Sequence, residues 1–159
     1  MSTVENAAGP APALPDPSFA GRAYPPGPVH TVSAAKIAEF ARATGATSRL
    51  HVDPEAARSA GYADVVAPPT FLVSLAQTTE AQYIEDPAAG VDFTRVVHGE
   101  ESFRLARPIL AGDRLIPTLT VESVRAAGGN AMVTTRVDLT DEAGSDVASV
   151  RSMLVVRGQ

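Results

Sequence analysis

His51 and Asp53 are two residues apart, a spacing that could serve acid–base chemistry. If the backbone between them is extended, both side chains lie on one face, and the carboxylate could orient the imidazole for proton transfer. Asp53 also has a structural interpretation, because an aspartate directly before Pro54 is suited to cap a helix. His51 is then a polar residue at the mouth of a pocket. The sequence favours the second interpretation, since a histidine without an orienting carboxylate is a weak sign of catalysis.

A second histidine, His98, is followed by Gly99 and by the glutamates Glu100 and Glu101. The simpler interpretation is a backbone bend at the glycine, with exposed charges at the end of a strand. Catalysis by the histidine and a glutamate is the alternative. His30 has no evident partner for either role.

The composition predicts an ordinary folded domain. The chain has 159 residues, of which 45% are hydrophobic, and no apolar run approaches the ~20 residues of a membrane span. A net charge of -5 argues against a general nucleic-acid binder. The absence of cysteine and the scatter of the three histidines exclude disulfides, a thiolate nucleophile and a cysteine–histidine zinc site. We expect no metal and no cofactor.

The first 17 residues differ from the rest of the chain. They read MSTVENAAGPAPALPDP, without a basic start or a long apolar block, so they do not resemble a secretory signal. Their alanine and proline content predicts a disordered tail over residues 1–17, followed by one domain over 18–158. We therefore expect a cytoplasmic protein.

Three helices are predicted before residue 90. The first is capped by Ser33 and ends at Gly45, and the second covers 54–60 after Asp53. The third opens at the Pro68–Pro69 pair and should lie inside the protein, because it begins with residues that are apolar nearly all round. These residues are Phe71, Leu72, Val73, Leu75 and Ala76.

The second half of the chain carries strand patterns. We predict strands over 92–98, 100–106, 114–124, 130–140 and 146–157. Near-regular alternation indicates a half-buried antiparallel sheet, with GGN and DEAGSD as hairpin turns. The predicted fold class is α+β, with the sheet wrapped around the apolar helix. One such unit leaves a sheet edge and a helix surface uncovered, which predicts pairing with a second unit.

Four segments carry a resemblance to a known family. In chain order they are AGYADVVAPPTF, VVHGEESF, RPILAGDRL and VASVRSMLVVRG. The chain from about Phe19 to Gly158 resembles the MaoC-like hot-dog proteins, which are (R)-specific enoyl-thioester hydratases and 3-hydroxyacyl-thioester dehydratases. The resemblance implies a single hot-dog fold, a curved antiparallel sheet around a central helix. The chain is most similar to the non-catalytic branch, which includes the N-terminal halves of double-hot-dog hydratases and HadA-type subunits.

The catalytic motifs of the family are incomplete here. Active hydratases show Gly-Asp-x-Asn-Pro-Leu-His, and this chain has GATSRLH over 45–51. His51 matches the family histidine, whereas Ala46 stands at the position of the carboxylate that shares a water molecule with it. Pro69 stands where active members have a glycine whose N–H polarises the thioester carbonyl, and proline has no N–H. Such an oxyanion donor is worth roughly 2.7–4 kcal/mol, so the resemblance implies the loss of two catalytic contributions.

The resulting hypothesis is a non-catalytic or weakly catalytic subunit of a (3R)-hydroxyacyl-thioester dehydratase in fatty-acid or polyketide synthesis. Its partner would be a catalytic MaoC-like hot-dog chain, and its substrate a thioester of acyl carrier protein or coenzyme A. It would shape the acyl-chain tunnel, although plain core residues would look the same in sequence. The predicted tunnel residues are Val66, Thr70, Phe71, Val73, Leu75 and Tyr83.

The arginines near these motifs could bind the phosphates of coenzyme A or of a phosphopantetheine arm, or they could be plain surface. They are Arg49, Arg104 and Arg107. Two other functions remain open. One is a self-sufficient homodimeric hydratase or thioesterase with a site rebuilt around His51, and the other is an acyl-thioester binding protein without a reaction.

Overall fold

The computed structural model describes residues 14–158. Its helices are α1 (Ala34–Thr44), α2 (Pro54–Ser59) and α3 (Val73–Ile84). Its strands are β1 (His30–Thr31), β2 (Val96–Leu105), β3 (Arg114–Ala127), β4 (Asn130–Thr140) and β5 (Asp146–Val156). Short 3₁₀ turns cover Pro17–Phe19, Arg49–His51, Pro87–Ala89 and Phe93–Arg95.

The strands form one curled antiparallel sheet in the order β1-β3-β4-β5-β2. Burial alternates strictly along β4, so that one face of this strand points into the core and the other points outward. The inward face packs against α3, which contacts both β3 and β4. β2 directly precedes β3 in the chain, but the two strands are not neighbours in the sheet. β2 pairs with β5 and forms the edge of the sheet opposite β1. This arrangement confirms the predicted architecture of a sheet wrapped around one helix.

The ends of α1 follow from two residues that the sequence analysis identified. The Ser33 hydroxyl accepts the Lys36 N–H at 3.1 Å, and Gly45 has a φ of 70°, the left-handed conformation that glycine adopts without strain. The predicted α1 is therefore confirmed. The second predicted helix is confirmed with its end at Ser59 instead of residue 60.

The central helix differs from the prediction in two respects. It begins at Val73 and not at the prolines, because residues 68–72 form turns in which the Phe71 N–H donates to the Pro68 carbonyl at 2.9 Å. It is also not apolar all round, since its outer side exposes Ser74, Gln77 and Thr78. Only the side that faces the sheet is covered within this chain.

Strand β2 corrects the prediction of two strands over 92–98 and 100–106. Residues 93–95 form a 3₁₀ turn, and β2 then runs without a break, with a β-bulge between His98 and Glu100. Gly99 is the extra residue of the bulge. A Cβ atom there would lie 2.8 Å from Met153 Cε, the end of a flexible side chain, so a larger residue would require Met153 to shift. The remaining predicted strands match β3, β4 and β5 to within a few residues at their ends.

The chain contacts the domain from Leu14 onward. Residues 1–13 of the predicted disordered tail lie outside the described residues, but Leu14 packs against the core and the Asp16 N–H donates to the Ala89 carbonyl at 2.9 Å. Phe19 is buried, and its ring lies 5.9 Å from the ring of Tyr83 on α3. The domain boundary at residue 18 stays a prediction, and the described residues before it already contact the domain.

Two tyrosines in this region form a matched pair for a stability test. Burial raises the pKa of both phenols to about 12, so both carry a proton at neutral pH. The Tyr24 hydroxyl donates to Asp86 Oδ2 at 3.0 Å, whereas the buried Tyr83 hydroxyl has no hydrogen-bond partner in the described chain.

We expect Tyr83→Phe to leave the free energy of unfolding unchanged or to raise it, because it removes a buried polar atom without a partner. Tyr24→Phe should lower the free energy of unfolding by about 1 kcal/mol, the net value of a typical hydrogen bond. Urea unfolding of the two variants measures the difference. Equal losses in both would show that the Tyr83 hydroxyl has a partner.

Candidate functional site

His51 lies in the 3₁₀ turn that connects α1 to α2. Its Nδ1 atom is 2.6 Å from the Val66 carbonyl oxygen, and the Val66 N–H donates to the Leu50 carbonyl at 2.8 Å. These two contacts hold the turn against the segment that leads into α3. A carbonyl partner requires a proton on Nδ1, which leaves Nε2 with the lone pair in the neutral imidazole.

Asp53 is occupied as the cap of α2. Its carboxylate accepts the N–H groups of Glu55 at 2.9 Å and of Ala56 at 3.2 Å, and it also pairs with Arg49. The Ala56 N–H and the Arg49 guanidinium hold the pKa of this carboxyl below its usual range. The backbone at His51 is a turn and not an extended segment, so the alternative His51–Asp53 pair does not form in this structure.

The two positions where the resemblance implies lost chemistry lie on the connections around α1 and α3. The Ala46 N–H donates to the Ala41 carbonyl at 2.8 Å just after the end of α1, and its methyl group cannot accept a proton. Pro69 lies exposed in the turns before α3. Ala46 supplies neither an acid nor a base, Pro69 supplies no N–H donor, and the catalytic role of His51 stays a prediction.

An open cavity of about 400 Å³ lies between α1 and α3. The rings of Phe40 and Phe71 meet edge to face across it, with centroids 5.6 Å apart. The lining residues are His30, Lys36, Glu39, Phe40, Ala43, Phe71, Ser74, Leu75 and Thr78. Its apolar wall is suited to a hydrocarbon chain, while the Lys36–Glu39 ion pair lies at its rim.

The structure brings two of the six predicted tunnel residues, Phe71 and Leu75, together at this cavity. Val66 forms a β-bridge with Leu110, Thr70 is exposed in the turns, Val73 is half-buried at the first position of α3, and Tyr83 is in the core beside Phe19. Phe40 and Ala43 were not among the predicted tunnel residues. Nothing in the sequence indicated that the side of α1 that carries these two residues borders an open cavity.

A second cavity, of about 420 Å³, lies beside the C-terminal half of α3 and the start of β2. It is lined by Gln77, Glu80, Ala81, Ile84, Glu85, Phe93, Val96 and His98. Glu80 is 1% exposed, and its Oε1 atom accepts the Thr135 hydroxyl of β4 at 2.6 Å. A carboxylate is therefore held between the central helix and the sheet.

Glu80 lies over a row of polar side chains that crosses the inner face of the sheet. In the strand register Glu101 of β2 is opposite Ser152 of β5, and Ser152 is opposite Thr135 of β4. Directly opposed residues point to the same face of a sheet. Gly99 is the extra residue of the bulge, so His98 is paired with Leu154. Leu154 points inward, and His98 therefore belongs to the same inner face. We call Glu80, Glu101, Thr135 and Ser152 the acidic cluster.

The acidic cluster is short of hydrogen-bond donors. Glu80 Oε2, Glu101 Oε1 and Ser152 Oγ are buried and have no partner in the described chain. Burial raises the pKa of the Glu101 carboxyl, the charge of Glu80 acts in the same direction, and His98 opposes them. The prediction of exposed charges after Gly99 holds for Glu100 and is wrong for Glu101, which turns inward. The sequence did contain a sign of the acidic cluster. Thr135 and Ser152 are polar residues at positions of β4 and β5 where the alternating pattern predicts buried side chains.

The three arginines considered for phosphate binding are already paired with acids. Arg49 pairs with Asp53, and Arg104 Nη2 lies 2.8 Å from Asp146 Oδ2. Arg107 forms two hydrogen bonds to Asp113, at 2.7 and 3.0 Å, and Asp113 also accepts the Leu110 N–H. Arg107 therefore stabilises the turn before β3, and phosphate binding by any of the three would have to break an ion pair.

Residues 14–158 contain neither a candidate metal site nor a helix that could span a membrane. No three histidine, aspartate or glutamate side chains lie close enough together to hold a metal ion. No helix in this part of the chain has the length and apolar character needed to cross a membrane.

Comparisons with known proteins find similarity over most of the chain. The family model described as "FAS1-like, dehydratase domain region" matches residues 18–150. A UPF0336 protein of Clavibacter michiganensis subsp. michiganensis is 50% identical over 143 residues, which are 90% of this chain and 96% of that protein.

Two solved structures are similar in fold and sequence. The C-terminally truncated HadBC (3R-hydroxyacyl-ACP dehydratase) complex of Mycobacterium tuberculosis has a TM-score of 0.77 and 29% identity, covering 86% of this chain and 96% of that chain. A MaoC-like dehydratase has a TM-score of 0.82 and 30% identity, covering 89% of this chain and 43% of that chain. The hot-dog fold that the sequence motifs implied is confirmed.

The raised pKa of Glu101 predicts a pH-dependent stability. The folded state binds the proton of the Glu101 carboxyl more tightly than the unfolded chain does. The stability that this proton contributes is fully present below the ordinary pKa of 4.5 and is lost as the pH rises through the folded-state pKa. We expect Glu101→Gln to raise the melting temperature relative to the unaltered chain, by more at about pH 8 than at about pH 4.5.

Glu100→Gln is the matched control, because it removes the same charge one residue away on the exposed face. Thermal unfolding of both variants across this pH range makes the comparison. A difference for Glu101→Gln that does not change with pH would contradict the buried position of its carboxyl.

Proposed function

Since the chain belongs to the FAS1-like dehydratase-region family of MaoC-like hot-dog proteins, we propose that it is the supporting subunit of a (3R)-hydroxyacyl-thioester dehydratase. In this function it pairs with a catalytic hot-dog chain, contributes a wall of the acyl-chain tunnel, and is inactive or weakly active alone. The substrate is a thioester of acyl carrier protein or coenzyme A in fatty-acid or polyketide synthesis. The HadBC relative is a complex whose name states (3R)-hydroxyacyl-ACP dehydration.

The observation that carries this proposal is that no carboxylate of residues 14–158 is hydrogen-bonded to His51. Ala46 occupies the expected position, and the nearest candidate in sequence, Asp53, is held by two backbone N–H groups and Arg49. Addition of water to an enoyl thioester needs a base to take a proton from water and an acid to return one. His51 alone supplies only one of these two groups.

The free edge of β2 supports pairing with a second hot-dog chain. β2 extends over ten residues and, within residues 14–158, pairs only with β5, so its outer edge presents backbone groups that are unpaired in this part of the chain. Two large apolar side chains beside this edge are exposed, Phe93 at 68% and Val97 at 48%. A partner strand at this edge would continue the sheet from one chain into the next and cover both side chains.

The cavity between α1 and α3 supports the tunnel role. Its aromatic wall of Phe40 and Phe71 and the Leu75 side chain offer apolar surface to a hydrocarbon chain. An acyl chain gains free energy from such burial in proportion to the area removed from water, so the depth of this cavity would limit chain length. Tunnel shaping requires no catalytic residue from this chain.

We expect the purified chain to hydrate a trans-2-enoyl thioester at least about 100-fold more slowly than its complex with a catalytic MaoC-like chain, because it has no acid–base pair. His51→Ala should leave the rate of the complex within about threefold. The matched control is the same substitution at the catalytic histidine of the partner, which should abolish turnover.

Turnover by the chain alone that is lost on His51→Ala would instead establish the self-sufficient homodimeric enzyme. Retention of an acyl thioester without turnover, with every catalytic hot-dog chain of the same genome, would establish a binding protein. Steady-state assays with the oligomeric state recorded in each sample distinguish the three results.

A second prediction concerns substrate length. Ala43→Phe should fill the cavity and lower kcat/KM of the complex for a dodecenoyl thioester about tenfold relative to a crotonyl thioester, since pocket volume limits discrimination to this order. Arg42→Phe, at the neighbouring exposed position of α1, is the control and should leave the ratio unchanged. A ratio unaffected by Ala43→Phe would place the acyl chain elsewhere.

A further inference from the structure

The acidic cluster lies at the centre of the edge strand. The ladder between β2 and β5 has nine paired positions, from Val96 to Leu105 with Gly99 left out, and Glu101 is the fifth of them. If two copies of this chain paired through β2 about a two-fold axis, over the full strand, each Glu101 would therefore face the Glu101 of the other copy. Each of these residues would be accompanied by Glu80 from its own central helix.

Counting donors and acceptors shows why such a pair is unfavourable. The Thr135 hydroxyl already donates to Glu80 Oε1, so the only donor left in the acidic cluster is the Ser152 hydroxyl. Two buried carboxylate oxygens, Glu80 Oε2 and Glu101 Oε1, remain without a partner. An ionised carboxylate only accepts, so one of the two stays unsatisfied. A second copy has the same deficit and cannot correct it.

The charges around the acidic cluster do not compensate either. His98 and Glu85 line the adjacent cavity, one able to carry a positive charge and the other adding a negative one. Arg95 precedes β2, but its buried Nη2 has no hydrogen-bond partner in the described chain, and Arg95 forms no ion pair with Glu80 or Glu101 there. Like charges brought together in a buried interface cost affinity, whereas an opposite charge or a donor restores it.

We propose that Glu80, Glu101 and Ser152 form a partner-selection site that disfavours pairing of two copies and favours a different hot-dog chain. That chain presents a guanidinium, ammonium or amide N–H at the centre of its own edge strand. The inference rests on the proposed function in one respect, namely that β2 is the pairing edge. It adds the chemistry by which the correct partner is recognised, which is donation of hydrogen bonds to two buried carboxylates.

The test compares self-association of the full chain with that of the Glu80→Gln/Glu101→Gln double variant by sedimentation at about pH 8. Each amide keeps the shape of the carboxyl, removes a charge and adds an N–H donor. We expect the double variant to self-associate at least about tenfold more tightly than the unaltered chain. Thermal unfolding of each sample confirms that the variants are folded.

The control is Glu55→Gln/Glu100→Gln, which makes the same change of charge at two exposed positions outside the acidic cluster. It should leave self-association unchanged. If both double variants changed self-association equally, the cause would be net charge and the proposal would be wrong. It would also be wrong if the unaltered chain already dimerised as tightly as the Glu80→Gln/Glu101→Gln variant.

Binding of a catalytic MaoC-like chain provides a separate measurement. The unaltered chain should bind it at least about tenfold more tightly than the Glu80→Gln/Glu101→Gln variant does, because the carboxylates are the acceptors for the partner's donor. Tight binding that is unaffected by the variant would leave the heteromeric function intact and overturn the selection site. If no catalytic chain binds but the variant still gains self-association, the proposed function fails while the acidic cluster remains a barrier to self-pairing.

Discussion

The packing of α3 against the inner face of the curled sheet is the contact on which the rest of the structure depends. The alternation of β4 and the neighbouring strands gives an inner face that is apolar apart from the polar row of Glu101, Ser152 and Thr135, and α3 packs against this face. The position of the helix sets both cavities, because one opens between α3 and α1 and the other between α3 and the start of β2. It also brings Glu80 over Thr135, 55 residues away in the chain. Loss of this contact would remove the tunnel wall and the acidic cluster together.

The same helix divides the molecule into two chemically different sides. Toward its N-terminus the surroundings are apolar and aromatic, with Phe40 and Phe71 in edge-to-face contact. Toward its C-terminus they include a buried carboxylate and the edge of the sheet. A supporting subunit needs both properties, because it must offer hydrocarbon surface to an acyl chain and polar groups to another protein. The fold provides them at opposite ends of one element.

Local signals determined how much of this could be predicted from the sequence. The serine cap and the left-handed glycine of α1, and the alternation and hairpin turns of β3 to β5, act over a few residues and therefore appear directly in the sequence. The start of α3 was misjudged because two prolines permit a helix without requiring one, and here they form a turn. The inward direction of Glu101 depends on the bulge, which shifts the alternation by one residue. The hydrogen bond between Glu80 and Thr135 requires knowledge of the fold itself.

The bulge at Gly99 also matters before any partner is present. A newly made chain exposes a ten-residue strand edge, and flat edges of that kind recruit other strands indiscriminately and lead to aggregation. A bulge bends and twists the strand locally, and Glu100 and Arg104 place charges of opposite sign on its outer face. Only a strand that follows this bend can pair along the whole edge. The irregularity that the sheet tolerates at one glycine thus makes this edge a poorer template for unrelated strands.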